Sequence, residues 1–211
     1  DFSTTLSKDS LINCFNTPLT VILEEGNRIV LRPGEEGKDA IVSSIIPDTN
    51  KGDFENFHLY AWTQGGILNV VRSFVEFDLS QIPENSVIEG AFISLYYSSD
   101  PNYGEHNGEN DFVIERLTSS WDESTVTWNT QPTSTTENRI LFDGSTSGTE
   151  DFINLKVTKL IQDIYSDMDN SYGLVLKLQD ESAYRRLVFA SSDNINETIR
   201  PKLEIYYSES K

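Results

Sequence analysis

Residues 91–97 read AFISLYY. In an extended chain, successive side chains point to opposite faces. Ala91, Ile93, Leu95 and Tyr97 therefore share one face of a strand, and Phe92, Ser94 and Tyr96 share the other. Working outward, the same two-residue period returns in residues 173–179, GLVLKLQ, where Leu174, Leu176 and Leu178 point inward. It returns again in residues 186–191, RLVFAS, through Leu187 and Phe189, and in residues 201–207, PKLEIYY, through Leu203, Ile205 and Tyr207. One-sided burial of this kind belongs to antiparallel sheets. About a dozen such runs, separated by turn residues, predict an all-β chain folded as an antiparallel two-sheet β-sandwich of jelly-roll type.

One segment has a different period. In residues 157–167, VTKLIQDIYSD, the apolar positions Val157, Leu160, Ile161 and Ile164 fall at helical spacing. The spacing predicts one short amphipathic helix over 158–166 that caps an end of the sandwich. Residues 1–18 read as a polar, flexible linker and residues 19–211 as a single sandwich domain. The first residues lack the charged start and apolar middle of a signal peptide.

Sixteen Lys and Arg against 34 Asp and Glu give a net charge of −18. Such a surface repels phosphate backbones and anionic headgroups, so the expected partners include no nucleic acid. With no run of 18 apolar residues there is also no membrane insertion to expect. Neutral sugars, cations and basic partners stay open. The single cysteine, Cys14, excludes an internal disulfide and a zinc site built of cysteines.

Signatures of catalysis are sparse. Residues 144–148, GSTSG, place Thr146 where a nucleophile elbow would need serine. His58 lies in a strand-like run and reads as structural, whereas His106 lies in the long polar loop 98–111 with Asn102 and Tyr103. Loops of that length are usually functional or disordered. Residues 47–53, PDTNKGD, offer Asp48, Asn50 and Asp53 as oxygen ligands beside Gly52, so a structural calcium ion is an expectation, though no cofactor is required. Arg72 is expected to pair with Glu76 on the same strand face. Tyr184, Arg185 and Arg186 unite an aromatic ring with two guanidinium forks, a combination suited to sugar rings, hydroxyls and carboxylates.

Several strings occur together in a recognisable order: GKDAIVSSIIPDTNKG, RSFVEFDLSQIPENSVIEGAFISLYY, SSWDESTVTWNTQPT, VTKLIQDI, NSYGLVLKLQ, VFASSD and RPKLEIYY. Over residues 29–207 the chain resembles the DNRLRE-domain proteins, grouped with carbohydrate-binding module family 96. The resemblance implies a noncatalytic jelly-roll module in secreted or cell-surface microbial proteins, often one module of a larger multidomain protein. It also implies a polysaccharide partner, alginate or another marine or plant glycan.

Trp121 and Trp128 belong to that scaffold signature, and Val126 and Trp128 are expected to share one face of a strand as core plugs. The expected ligand-binding residues are instead Trp62, Gln64, Asn102, Tyr103, His106, Tyr184, Arg185 and Arg186, because loop aromatics present a flat face while polar neighbours orient hydroxyls. The competing reading is a structural or adhesin spacer domain with no glycan ligand.

Overall fold

The computed structural model describes residues 26–34, 37–101 and 104–209. The linker expected over residues 1–18 lies outside the described residues, as do Asn102 and Tyr103. Within them the chain runs β1 (Asn27–Leu31), β2 (Gly37–Ser43), β3 (Asn56–Gln64), β4 (Ile67–Phe77), β5 (Val87–Leu95), β6 (Phe112–Leu117) and β7 (Ser134–Phe142). It continues through β8 (Phe152–Lys156), α1 (Thr158–Ser166), β9 (Leu174–Leu178), β10 (Arg185–Ala190) and β11 (Lys202–Ser208). The strands form two antiparallel sheets. The smaller has the order β1-β11-β5-β8, and the larger the order β10-β3-β4-β9-β6-β7 with β2 also paired to β4.

The period-two runs place the core where the sequence predicts it. Ala91, Ile93 and Leu95 of β5 are fully buried and face Leu203 and Ile205 of β11, across the register Ile93↔Leu203 and Ala91↔Ile205. The larger sheet meets them with Val71 and Val75 of β4, Leu174 and Leu176 of β9, and Leu187 and Phe189 of β10. Burial of these apolar faces between the sheets is the main favourable contribution to folding.

Helix α1 closes one end, as expected, with Leu160, Ile161 and Ile164 buried in this core. It is tied to β5 rather than capped by a side chain of its own. The Ala91 N–H donates to Thr158 Oγ1 at 3.0 Å, and Gln162 Nε2 donates to the Ile88 carbonyl at 2.8 Å.

The outer face of the larger sheet carries a second, smaller core. Ala40, Val42, Phe74, Val175 and Leu117 project from it and are covered by residues 118–131 through Trp121 and Val126. This covering segment is a series of turns, not the strand expected around Val126 and Trp128. Its local chemistry explains why: Asp122 accepts from the Ser124 N–H at 2.9 Å and the Val126 N–H bonds back to the Asp122 carbonyl at 2.8 Å, both turn contacts.

Trp121 is a plug. Its ring packs 5.8 Å from Phe74, and its Nε1–H donates to the Tyr172 carbonyl at 2.8 Å. Lys38 lies 4.6 Å above the ring and donates to the Trp121 carbonyl. Trp128 is only half-buried at the edge of this core, with the Arg72 guanidinium 5.0 Å from its ring. Arg72 does not pair with Glu76. It forms a two-pronged contact with Glu181 at 2.7 and 2.8 Å, while Glu76 meets Lys38 at 3.2 Å. The reason is reach across the sheet: each acid is taken by a cation from a different element.

Truncating a large buried ring leaves a cavity, so Trp121→Ala is expected to cost about 3–5 kcal/mol in urea denaturation. Trp128→Ala, at the half-exposed rim, should cost clearly less. Equal losses for both would show that the two rings have the same structural role.

Candidate functional site

The sequence-derived ligand residues divide sharply. Trp62, Tyr184 and Arg186 converge where β3 ends and β10 begins, because β3 and β10 are neighbours in the register Arg186↔Tyr60 and Arg185↔Ala61. The Tyr184 ring meets Trp62 edge-on, with centroids 4.8 Å apart, and the Arg186 guanidinium lies 5.0 Å from the Trp62 ring. Tyr184 is 52% exposed, so much of its surface stays open to solvent. Thr63 Oγ1 donates to its hydroxyl at 3.2 Å. Gln64 sits beside them, exposed at the tip of a two-glycine hairpin in which Gly65 and Gly66 both take positive φ. Such a turn matches the twist of the paired strands and lets Trp62 stand at the rim.

The long loop is laid against the same edge. Asn107 and Arg186 exchange backbone hydrogen bonds at 3.0 and 2.9 Å, and Asn110 Nδ2 donates to the Arg186 carbonyl at 3.0 Å. Gly108 and Gly104 make that approach possible. A Cβ at Gly108 would lie 2.2 Å from the Tyr184 carbonyl, and one at Gly104 2.8 Å from Arg186 Nη2. Both also have positive φ. Arg186 Nε donates to the Glu105 carbonyl, and among the described residues no carboxylate forms an ion pair with Arg186. In a chain of charge −18 that is unusual.

Two of the expected residues serve the scaffold instead. His106 is buried: its Nε2 donates to the Glu150 carbonyl at 3.0 Å and its Nδ1 accepts from the Val188 N–H at 3.0 Å. Tyr97, Phe152 and Phe189 surround the ring. Burial holds its pKa below the ordinary histidine value, so the imidazole is neutral, and both ring nitrogens are taken by backbone groups. Arg185 bonds Asp180 at 2.9 Å and Glu109 at 3.5 Å, and it pins the turn before β10 by donating to the Ser182 carbonyl.

The expected calcium ligands are also redistributed. Asn50 donates to the carbonyls of Glu123 and Val126, both at 2.8 Å, and Asp48 accepts from Asn129 at 2.8 Å. These contacts lace the 47–53 loop to the covering segment. The side chains that do converge are Asp39 of β2, Glu123 of the covering segment and Asp193 just past β10, with carboxylate oxygens within 4.8 Å of one another. Asp53, Asn50 and Gly52 line the same recess. Asp39 is buried, and its Oδ2 accepts from the Ser192 N–H at 2.7 Å. Desolvation, with the charges of Asp193 and Glu123, pushes its pKa up to about 7. Glu123 and Asp193 are raised as well, each chiefly by burial. Oxygen-only donors of this kind are the residues that could hold a hard divalent cation. They lie at the opposite end of β10 from Arg186. Their sequence signal was hidden, because the three acids belong to three strings that meet only in the fold.

The two-sheet β-sandwich thus carries an aromatic and guanidinium patch at its rim. The chain belongs to carbohydrate-binding module family 96, whose family model matches residues 34–207. No curated protein matches it. Among the described residues no helix is long and apolar enough to cross a membrane.

The raised Asp39 sets a pH dependence. An unfolded aspartate loses its proton near pH 4, whereas folded Asp39 keeps its proton up to about pH 7. The folded state therefore binds more protons across that interval, and stability falls as pH rises through it. In EDTA, Asp39→Asn is expected to flatten this decline and to melt several degrees above the parent at pH 8, read by calorimetry at pH 4, 6 and 8. A parallel decline in parent and variant would assign the effect elsewhere.

Proposed function

We infer that this module is noncatalytic and anchors a larger extracellular protein to a polysaccharide at the rim formed by Trp62, Tyr184 and Arg186. The observation that carries the reading is the juxtaposition of two ring systems with a guanidinium that has no carboxylate partner among the described residues. Rings supply apolar area for the faces of pyranoses, and the guanidinium supplies donors in a fixed plane for hydroxyls or carboxylates. Gln64 adds an exposed amide at the same rim, and Asn102 and Tyr103 remain part of the proposed ligand-binding set. The extracellular setting follows from the ligand class, since polysaccharides of this kind lie outside cells.

Calcium has a supporting role in this proposal. Held by Asp39, Glu123 and Asp193, it would neutralise three crowded carboxylates and fasten the covering segment to β2 and to the end of β10. Adding calcium in excess over EDTA is expected to raise the melting temperature by several degrees, and Glu123→Gln to remove that gain. An unchanged melting temperature would discard the calcium assignment without touching the rim.

Affinity electrophoresis in gels containing a panel of neutral and acidic polysaccharides tests the binding reading. The parent should be retarded on at least one of them, and Trp62→Ala or Tyr184→Ala should weaken retardation by about tenfold, the loss expected for one stacked ring. No retardation on any polysaccharide would favour the spacer. Release of new reducing ends or unsaturated sugars would overturn the noncatalytic assignment.

A further inference from the structure

The end of the sandwich closed by α1 is not completely filled. Where β4 gives way to the turn after Phe77, a recess of about 390 Å³ opens beside the helix, walled by Val75, Phe77, Leu79, Ile161, Ile164 and Leu174. Two glycines keep it open. Gly37 at the start of β2 and Gly173 just before β9 both border it, and both press on the backbone of β4. A Cβ at Gly37 would lie 2.0 Å from the Glu76 carbonyl oxygen, and one at Gly173 2.4 Å from the Val75 carbonyl oxygen. Neither position therefore has a side chain to cover the opening. The volume falls in the range of ligand pockets, about 300–1,000 Å³.

The mouth is acidic. Among the described residues Lys38 is the one cation that lines it, and Lys38 is already engaged: it pairs with Glu76 at 3.2 Å and donates to the Trp121 carbonyl at 2.8 Å. Asp78 lines it as well. Its Oδ1 accepts from the Ser80 N–H at 2.8 Å, and among the described residues no cation forms an ion pair with it. On the helix side stands Met168, the only methionine in the chain, 43% exposed and flanked by the exposed Asp167 and Asp169. The last turn of α1 carries no basic side chain, so the partial negative charge of its carboxyl end adds to theirs. The unbranched thioether of Met168 can adapt its shape to whatever fills the space beside it.

We propose that this recess is a docking site for a basic protein segment, in which one apolar anchor residue enters beside Leu79, Ile164 and Met168 while flanking Lys or Arg side chains meet Asp78, Asp167 and Asp169. It lies at the Phe77 end of β4, whereas the Trp62 rim adjoins the Ile67 end, so it does not depend on polysaccharide binding. Charge complementarity selects this occupant. The net charge of −18 attracts a cationic partner at long range and repels a second copy of the chain. The apolar walls then supply the pocket that an anchor residue needs.

The probe is a dye-labelled peptide, Lys-Lys-Leu-Lys-Lys, titrated with the full chain and followed by fluorescence anisotropy. Binding should weaken at least tenfold when Gly replaces the central Leu, the loss expected for one buried leucine, and should vanish for Glu-Glu-Leu-Glu-Glu. Asp78→Asn retains the acceptor of the turn and should weaken binding severalfold. Met168→Lys should weaken it at least tenfold while leaving the melting temperature close to that of the parent, because this side chain is partly exposed. With isotopically labelled methionine, the unlabelled peptide should shift the single methyl resonance of Met168, a readout that locates the contact. No binding by the parent, equal binding of the Leu and Gly peptides, an unaffected Met168→Lys or an unshifted methyl resonance would overturn the proposal. Equal or tighter binding of the acidic peptide would also overturn it, and a methyl resonance that moves with protein concentration alone would overturn it in favour of a second copy.

Discussion

A wide β-sheet has two faces, and the structure depends on how the second one is treated. The inner face of the larger sheet is buried against the smaller sheet along its length. The outer face would expose Phe74, Val42 and Val175 if left bare, and it is closed by a segment with no strand or helix of its own. What holds that segment down is Trp121, whose ring fills the space over Phe74 and whose N–H has a carbonyl partner. A buried indole without such a partner would be costly. Here the ring contributes its area and leaves no polar debt.

From that closure the other features follow. The covering segment carries Glu123 to Asp39, and it is laced to the 47–53 loop by Asn50, with Gly52 allowing the backbones to touch. Because the segment stops at Trp128, the adjacent half of the sheet remains open and carries charged side chains where the covered half carries apolar ones. The same sheet thus presents a sealed apolar half and an open polar half. The rim at Trp62 lies outside both and is shaped by the long loop pressed on the edge of β10.

Much of this was legible in advance. Period-two alternation around Ile93, Leu176 and Ile205 fixed the inward faces, and helical spacing located α1, since each signal is local and repeats within a few residues. The clustering of an aromatic with two arginines at the rim was also readable, because Tyr184, Arg185 and Arg186 are neighbours along the chain. Other readings failed for a common reason. His106 was placed in a polar loop, yet the loop folds inward and both imidazole nitrogens are taken by backbone groups. Arg72 was given its neighbour Glu76, yet Glu181, distant in sequence, lies closer in space.

What the amino-acid sequence by itself determined is therefore the kind of element at each position and which side of it is apolar, because those properties depend on neighbours along the chain. The tertiary structure alone decided which charges meet. It brought Asp39 to Glu123 and Asp193, set Lys177 and Arg139 around Glu115, and left Arg186 beside Trp62. Electrostatic and hydrogen-bond partners are chosen by distance in space, and only the packing of two sheets fixes that distance.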